Sequence, residues 1–300
     1  MLFSKLQTLT QLQLESWISQ AKIKTGKLPN YVPLLSASDP NKLAVALQLD
    51  QTQLLIAGDS DFTFSLMSVI KPFLLLFLLH WLGHEHVLHK VGVQPSTYAF
   101  NSLQQLIEDQ GFPRNPMINS GAIMLADLLP GTSSDQRCEC LRQWLNQYAG
   151  SQLRLNQEML ASVRSLPNQT NYAIADQLAK SGYLDSVETA LDTYNQICCL
   201  AGTVMDLVRL GQLLAYPHCH LSIAHQHTVN VIMRDCGLYE AAGYYSEKIG
   251  LPIKSGVSGG LLAIFPEQGV MSCYSPQLDR VGNPVVGLSI LEQMMEYLRL

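Results

Sequence analysis

Leu66-Met-Ser-Val-Ile-Lys-Pro-Phe-Leu-Leu-Leu-Phe-Leu-Leu79 is the stretch on which the reading of the whole chain turns. Its apolar run, Pro72 to Leu79, is bounded by Lys71 and His80 and covers less than half of the ~20 residues a bilayer span needs. It reads as a buried helix, and no membrane partner is expected. At its head, Ser68 and Lys71 stand three positions apart on one helix face, so the amine can reach the hydroxyl. Serine is a weak nucleophile at its own pKa and needs a group that accepts its proton. A lysine in apolar surroundings is such a group, because burial disfavours its charge. A helix N-terminus also offers N–H groups and the positive dipole end to a developing oxyanion. Pro72 is tolerated there, since first-turn N–H groups have no intrahelical acceptor.

Ser-x-x-Lys alone also arises by chance, and a second motif gives it weight. Lys254-Ser-Gly-Val-Ser-Gly-Gly260 follows roughly 180 residues later. Penicillin-recognising serine enzymes carry these two motifs in this order, with the second on a sheet edge facing the serine. Glycine there admits close approach of substrate to backbone, and strand N–H groups complete an oxyanion hole. The bland reading of the same text is a glycine-rich turn with an exposed lysine. It is not a phosphate-binding loop, which requires Gly-x4-Gly-Lys-[Ser/Thr].

Outward from these motifs, residues 1–28 read as an amphipathic helix (Leu6, Leu9, Leu12, Leu14, Trp17, Ile18) ending at Gly26. Lys42–Leu49 and Gln53–Ala57 flank Asp50-Gln-Thr52 as a hairpin. From about 66 to 240 the periodicity is helical, with punctuation at Gly92, Pro95, Pro113, Pro116, Pro130-Gly131, Pro167 and Pro217. Leu261–Phe265, Gly269–Tyr274 and Pro284–Leu288 then read as an antiparallel meander, and Ile290–Leu300 as a closing helix. The expected class is α+β: an antiparallel sheet built from both chain ends, with an inserted all-helical lobe. The sheet lobe would take residues 1–66 and 241–300 and the helical lobe 67–240, forming a single catalytic unit over 1–300 with its ligand crevice between them.

Composition narrows the partners. Among 300 residues, Lys+Arg number 19 and Asp+Glu 24, a net charge of −5 with no basic footprint, so no nucleic-acid partner is expected. Hydrophobic content of 47% excludes disorder. Seven cysteines at 138, 140, 198, 199, 219, 236 and 273 lack zinc-knuckle spacing and read as free thiols in a reducing cytoplasm. The N-terminal text lacks the apolar core of a signal peptide.

Between and around the two motifs, the chain resembles the bacterial-type serine-dependent glutaminases. The matching segments include Asn30-Tyr-Val-Pro33, Gly58-Asp-Ser-Asp61, Val91-Gly-Val-Gln-Pro-Ser96 and Phe100-Asn-Ser102. They continue with Pro113-Arg-Asn-Pro-Met-Ile-Asn-Ser-Gly-Ala122, Asn171-Tyr-Ala-Ile-Ala175 and Leu191-Asp-Thr-Tyr194. Cys236-Gly-Leu-Tyr239, Ala242-Gly243 and Gly250-Leu-Pro-Ile-Lys-Ser-Gly-Val257 close the series. The resemblance runs in order from about residue 15 to 295, and the Asn-Pro-x-Ile-Asn-x-Gly-Ala block is its most specific part. It implies a β-lactamase/transpeptidase-like fold that hydrolyses L-glutamine to L-glutamate and ammonia through an acyl-enzyme, without cofactor or metal. By position, Ser68 would be the nucleophile, Lys71 its proton partner and Tyr194 an acid/base relay, with Tyr31 and Lys254 close by. The N–H groups of Ser68 and Val257 would form the oxyanion hole. Asn119, Asn171, Tyr194, Tyr239 and Val257 would line the substrate pocket, where amides offer both donor and acceptor. The resemblance also implies a homodimer or homotetramer.

Three departures stand out. The glutaminases carry an acid after Arg-Ser that holds the substrate's α-ammonium, whereas Val163-Arg-Ser-Leu-Pro-Asn-Gln-Thr-Asn171 is shortened and has Leu166 there. Glu158 is the nearest preceding acid. Met67-Ser-Val-Ile-Lys-Pro72 lacks a polar residue before the nucleophile and another before the lysine, and Gly243-Tyr-Tyr245 replaces Gly-Glu-Phe. Two rivals follow: a serine amidohydrolase for another small amide, and a non-catalytic binding protein on the same scaffold. Penicillin binding is a weaker option, because Asn115–Asn119 belongs to the glutaminase pattern.

The remaining clusters have plain readings. His80, His84, His86 and His89 read as a solvated helix end, although His80 and His84 share the i, i+4 spacing of a zinc pair. His218, His220, His225 and His227 fall in a proline-marked linker, and Asp59 and Asp61 in a strand–helix turn. Tyr244 and Tyr245 read as pocket wall and packing.

Overall fold

Alternation along three apolar strands sets the architecture. The computed structural model describes residues 5–50, 52–166 and 168–299. The strands are β1 (Ala44–Leu49), β2 (Gln53–Gly58), β3 (Phe64–Ser65), β4 (Arg154–Leu155), β5 (Leu200–Gly202), β6 (Ile253–Ser255), β7 (Gly260–Phe265) and β8 (Gly269–Tyr274). Five form one antiparallel sheet in the order β2-β1-β8-β7-β6, and the short β3, β5 and β4 form a second. β1 pairs with β8 from Ala44↔Tyr274 to Leu49↔Gly269, which joins the two chain ends in the middle of the sheet.

Successive strand residues point to opposite faces, so each face owns its own core. Val45, Leu47 and Leu49 pack with Leu261, Ala263 and Phe265 against the helices Gln11–Ala21 and Val285–Arg299. Ala46, Leu262, Ile264 and Val270 face the other way, into a core continuous with the helical lobe. Helix Val204–Ala215 covers this second face. At its Gly211 a Cβ would lie 2.5 Å from Val270 Cγ1, so only glycine permits the helix to sit so close. The helix Lys71–Leu82 lies in this core, and every residue from Lys71 to Leu79 is buried. Among the described residues no helix is long and apolar enough to cross a membrane.

Several expectations are corrected. The first α-helix covers Gln11–Ala21 rather than 1–28, because Thr10 caps it reciprocally with Gln13 and a separate 3-10 turn holds Leu6–Thr8; residues 1–4 lie outside the described residues. Gly26 instead runs against Leu278, whose carbonyl oxygen is 2.4 Å from where a Cβ would stand. Pro284–Leu288 is not a third meander strand. The closing helix begins at Val285, and its buried Val286, Ile290, Leu291, Met294, Met295 and Leu298 keep a helical period that outweighs the local β-branched pair. The meander is β6-β7-β8, so Lys254-Ser-Gly256 supplies its edge strand instead of preceding it. The stretch 66–240 also contains β4 and β5, whose two or three residues are too short to give a periodic signal. Gln51 of the hairpin loop, Pro167 and Leu300 lie outside the described residues.

Candidate active site

A left-handed residue starts the site. Met67 has φ +47°, uncommon for a side chain of that size, and turns the backbone from β3 into a 3-10 turn over Met67–Ile70 that leads into the Lys71–Leu82 helix. Ser68 therefore sits on a tight turn rather than in the α-helix proper, as one of its first-turn residues, whose N–H groups have no acceptor in their own helix. Edge strand β6 reaches this turn through Gly256. A Cβ there would be 2.7 Å from the Leu66 carbonyl oxygen, so glycine is what brings Val257 alongside Ser68. Both residues wall the same cavity, of about 530 Å³.

Behind Ser68 runs a buried polar chain. Lys71 Nζ donates to the Met117 carbonyl (3.1 Å) and to Asn119 Oδ1 (2.8 Å). Tyr194 Oη donates to the same Oδ1 (3.0 Å), and Asn119 Nδ2 donates to Asn171 Oδ1 (2.8 Å). The Ser68 hydroxyl neighbours the phenols of Tyr194 and Tyr239. Tyr239, itself at φ +57°, donates to the Ser255 carbonyl (3.2 Å). Lys254 Nζ donates to the carbonyls of Gly237 (2.9 Å) and Ser255 (2.6 Å) and lies 4.2 Å from the centre of the Tyr239 ring.

Burial sets the protonation states. Desolvation lowers Lys71 to about 7, against a small opposing pull from Cys198. Lys254 falls well below the ordinary lysine value, through burial and then the charge of Lys71. Tyr194 is raised well above the usual phenol value, first by burial and then by Cys198, and Tyr239 is pushed up to about 12 by burial. Near neutral pH the phenols keep their protons, while Lys71 is poised to give or take one. A neutral amine has two N–H donors and one lone pair. Lys71 places two donations on Met117 and Asn119, which leaves the lone pair to take a proton.

The structure brings Ser68, Asn119, Asn171, Tyr194, Val257 and Tyr31 to the cavity wall. Lys71, Tyr239 and Lys254 stand behind it, at 1%, 4% and 0% exposure, and reach substrate only through other groups. Leu166, 53% exposed, does line the cavity at the position where an acid was expected, whereas Glu158 is exposed on its helix and does not. Tyr244 and Tyr245 are away from this wall. Sequence reading missed Cys198, which lines the cavity and contacts Tyr194. Its i, i+4 spacing from Tyr194 on the Val187–Cys198 helix was the available signal. Asn168 was also missed; it caps the Gln169–Lys180 helix by accepting from the Asn171 N–H (3.0 Å), which orients that first turn beside the cavity.

The histidines serve elsewhere. Gly83 (φ +85°) ends the helix between His80 and His84, so these two do not share a helical face as their spacing implied. His80 and His218 instead pack on the Tyr148 ring, with centroids 5.7 and 5.6 Å away. No group of three or more metal-ligating side chains occurs among the described residues. Asp59 accepts from Lys42 Nζ (2.8 Å) and the Leu43 N–H (3.2 Å), a turn-holding role.

The chain is similar to known proteins over nearly its whole length. The glutaminase family model matches residues 26–300. A glutaminase of Synechocystis sp. is 45% identical, covering 99% of this chain and 92% of its own length, and one of Vibrio vulnificus is 34% identical, covering 91% and 92%. A solved probable glutaminase from Bacillus subtilis, complexed with 6-diazo-5-oxo-L-norleucine, superposes with a TM-score of 0.87 at 27% identity, covering 97% of this chain and 96% of that one.

Proposed function

The chain belongs to the glutaminase family, and from that premise we propose that Ser68 is the nucleophile, Lys71 its base and Tyr194 the proton donor to the leaving group. The protein has the β-lactamase-like fold and is a glutaminase: it hydrolyses L-glutamine to L-glutamate and ammonia. In the proposed route, neutral Lys71 takes the proton of Ser68 as Oγ attacks the side-chain carbonyl carbon. The oxyanion is held by the N–H groups of Ser68 and Val257. Tyr194, kept protonated by burial, donates to the departing nitrogen, and the C–N bond breaks to release ammonia. Water then splits the ester by the reverse proton path. Asn119 and Asn171 hold the substrate by their amides, Tyr31 stands at the cavity wall, and Tyr239 and Lys254 position Ser68 and the β6 edge from behind. Breaking the amide C–N bond and then the ester changes no oxidation state, so the route calls for no redox group.

The observation that carries this reading is the continuous chain Lys71–Asn119–Tyr194 packed directly behind Ser68. Ser68→Ala tests it: ammonia release from glutamine should vanish with the melting temperature unchanged, and retained activity removes Ser68 from its role. The whole span 1–300 is taken as one catalytic unit. Free thiols support a cytoplasmic setting, and the family resemblance supports a homodimer or homotetramer, which sedimentation checks.

A further inference from the structure

The amide-binding cavity is walled without charge. Among the described residues that line it there is no aspartate, glutamate, lysine, arginine or histidine. Free glutamine brings an α-ammonium into this setting, where it finds amide oxygens and Leu166 in place of a carboxylate. A cation loses its hydration on entry and recovers only neutral acceptors. An acylated α-nitrogen suits the same surroundings better. Its single uncharged N–H needs one acceptor, which an asparagine or glutamine oxygen supplies, and its acyl carbons need an apolar surface.

The rim supplies that surface. Leu166 presents a half-exposed side chain to the cavity, and Asn168, Gln169 and Thr170 beside it are exposed, so the wall is open to solvent on this side. Val163, Asn168 and Asn171 also wall a second recess of about 340 Å³, where Tyr172 and Leu191 join them. We propose that this glutaminase has a second substrate class, glutamine acylated on its α-nitrogen, whose acyl group lies over Leu166 and Val163 at the cavity rim. The chemistry is unchanged and rests on the reading above. Ser68 Oγ bonds to the side-chain carbonyl carbon, the C–N bond breaks, ammonia leaves, and water releases N-acyl-glutamate. The acyl–nitrogen bond is untouched.

The experiment compares kcat/KM for ammonia release from N-acetyl-L-glutamine and L-glutamine with the full-length protein. The expected ratio is within about tenfold of unity, and Leu166→Glu shifts it toward free glutamine by about tenfold or more, chiefly through KM. Leu166 is exposed, so this variant keeps its fold, which its melting temperature verifies. A wild-type preference for free glutamine beyond about tenfold overturns the proposal and leaves the glutaminase reading standing. An unchanged ratio in Leu166→Glu overturns the placement of the α-nitrogen at this rim. Release from neither amide overturns the glutaminase reading itself and the proposal with it.

Discussion

Lys71 offers the sharpest test, because its protonation decides whether Ser68 can be activated. Its amine is 1% exposed and burial brings its pKa to about 7. The neutral fraction then climbs from about a tenth near pH 6 to about nine tenths near pH 8, and kcat/KM should climb about ninefold with it. The sign is upward with pH, since only the deprotonated amine accepts from serine. Tyr194 and Tyr239, held protonated by burial, and Cys198, pushed up to about 11, do not mimic this rise. Asn119→Asp extends the test. It places a carboxylate 2.8 Å from Nζ, the position now held by Oδ1, and should carry the inflection upward by about 1–3 units. The assay is ammonia release at limiting glutamine across the pH range at constant ionic strength, with circular dichroism confirming the fold. A profile flat through neutrality with a rise only near the ordinary lysine pKa would refute the assignment of Lys71 as base. So would an Asn119→Asp inflection left where it was.

Two other substitutions probe the remaining parts. Tyr194→Phe keeps the ring packing and removes the donor to Asn119 and the contact with Ser68, so kcat should fall about 10²- to 10⁴-fold with little change in melting temperature. A loss confined to KM would instead make Tyr194 a substrate-binding group only. Gly256→Ala puts a methyl 2.7 Å from the Leu66 carbonyl oxygen and 3.0 Å from Val69 Cγ2, forcing the β6 edge away from the Ser68 turn. Stability should drop by about 1–3 kcal/mol and kcat by about 100-fold as the oxyanion donors separate. Calorimetry and steady-state rates measure the two effects, and unaltered kcat would detach the edge strand from oxyanion binding.

What could be read from the text followed the range of its signals. The β1–β2 hairpin and the strands β7 and β8 announce themselves through short apolar runs between turn residues, and the two spaced motifs place the nucleophile opposite the sheet edge. The error at Pro284–Leu288 came from a five-residue window in which Val285 and Val286 resemble a strand. Only the spacing of Ile290, Leu291, Met294 and Met295 shows that a helix has already begun. The site was harder. That Lys71 hydrogen-bonds the Met117 carbonyl and the Asn119 side chain depends on residues 46 and 48 positions away, which no local pattern encodes. The left-handed turn at Met67 was illegible for a related reason, since nothing in a methionine signals φ +47°. Leu166 was the opposite case: the residue was conspicuous by its chemistry, and the structure gave it a place on the cavity wall.

The registration of Ala44–Leu49 beside Gly269–Tyr274 fixes when the molecule can come into being during synthesis. A ribosome has made most of the polypeptide before β1 meets its inner neighbour, so the early hairpin must wait with the hydrogen-bonding edge of a strand destined for burial on both faces uncovered. During that interval it is a template for another nascent copy. Folding yield should therefore depend on crowding by sister chains and on chaperone supply more than on the stability of the finished protein.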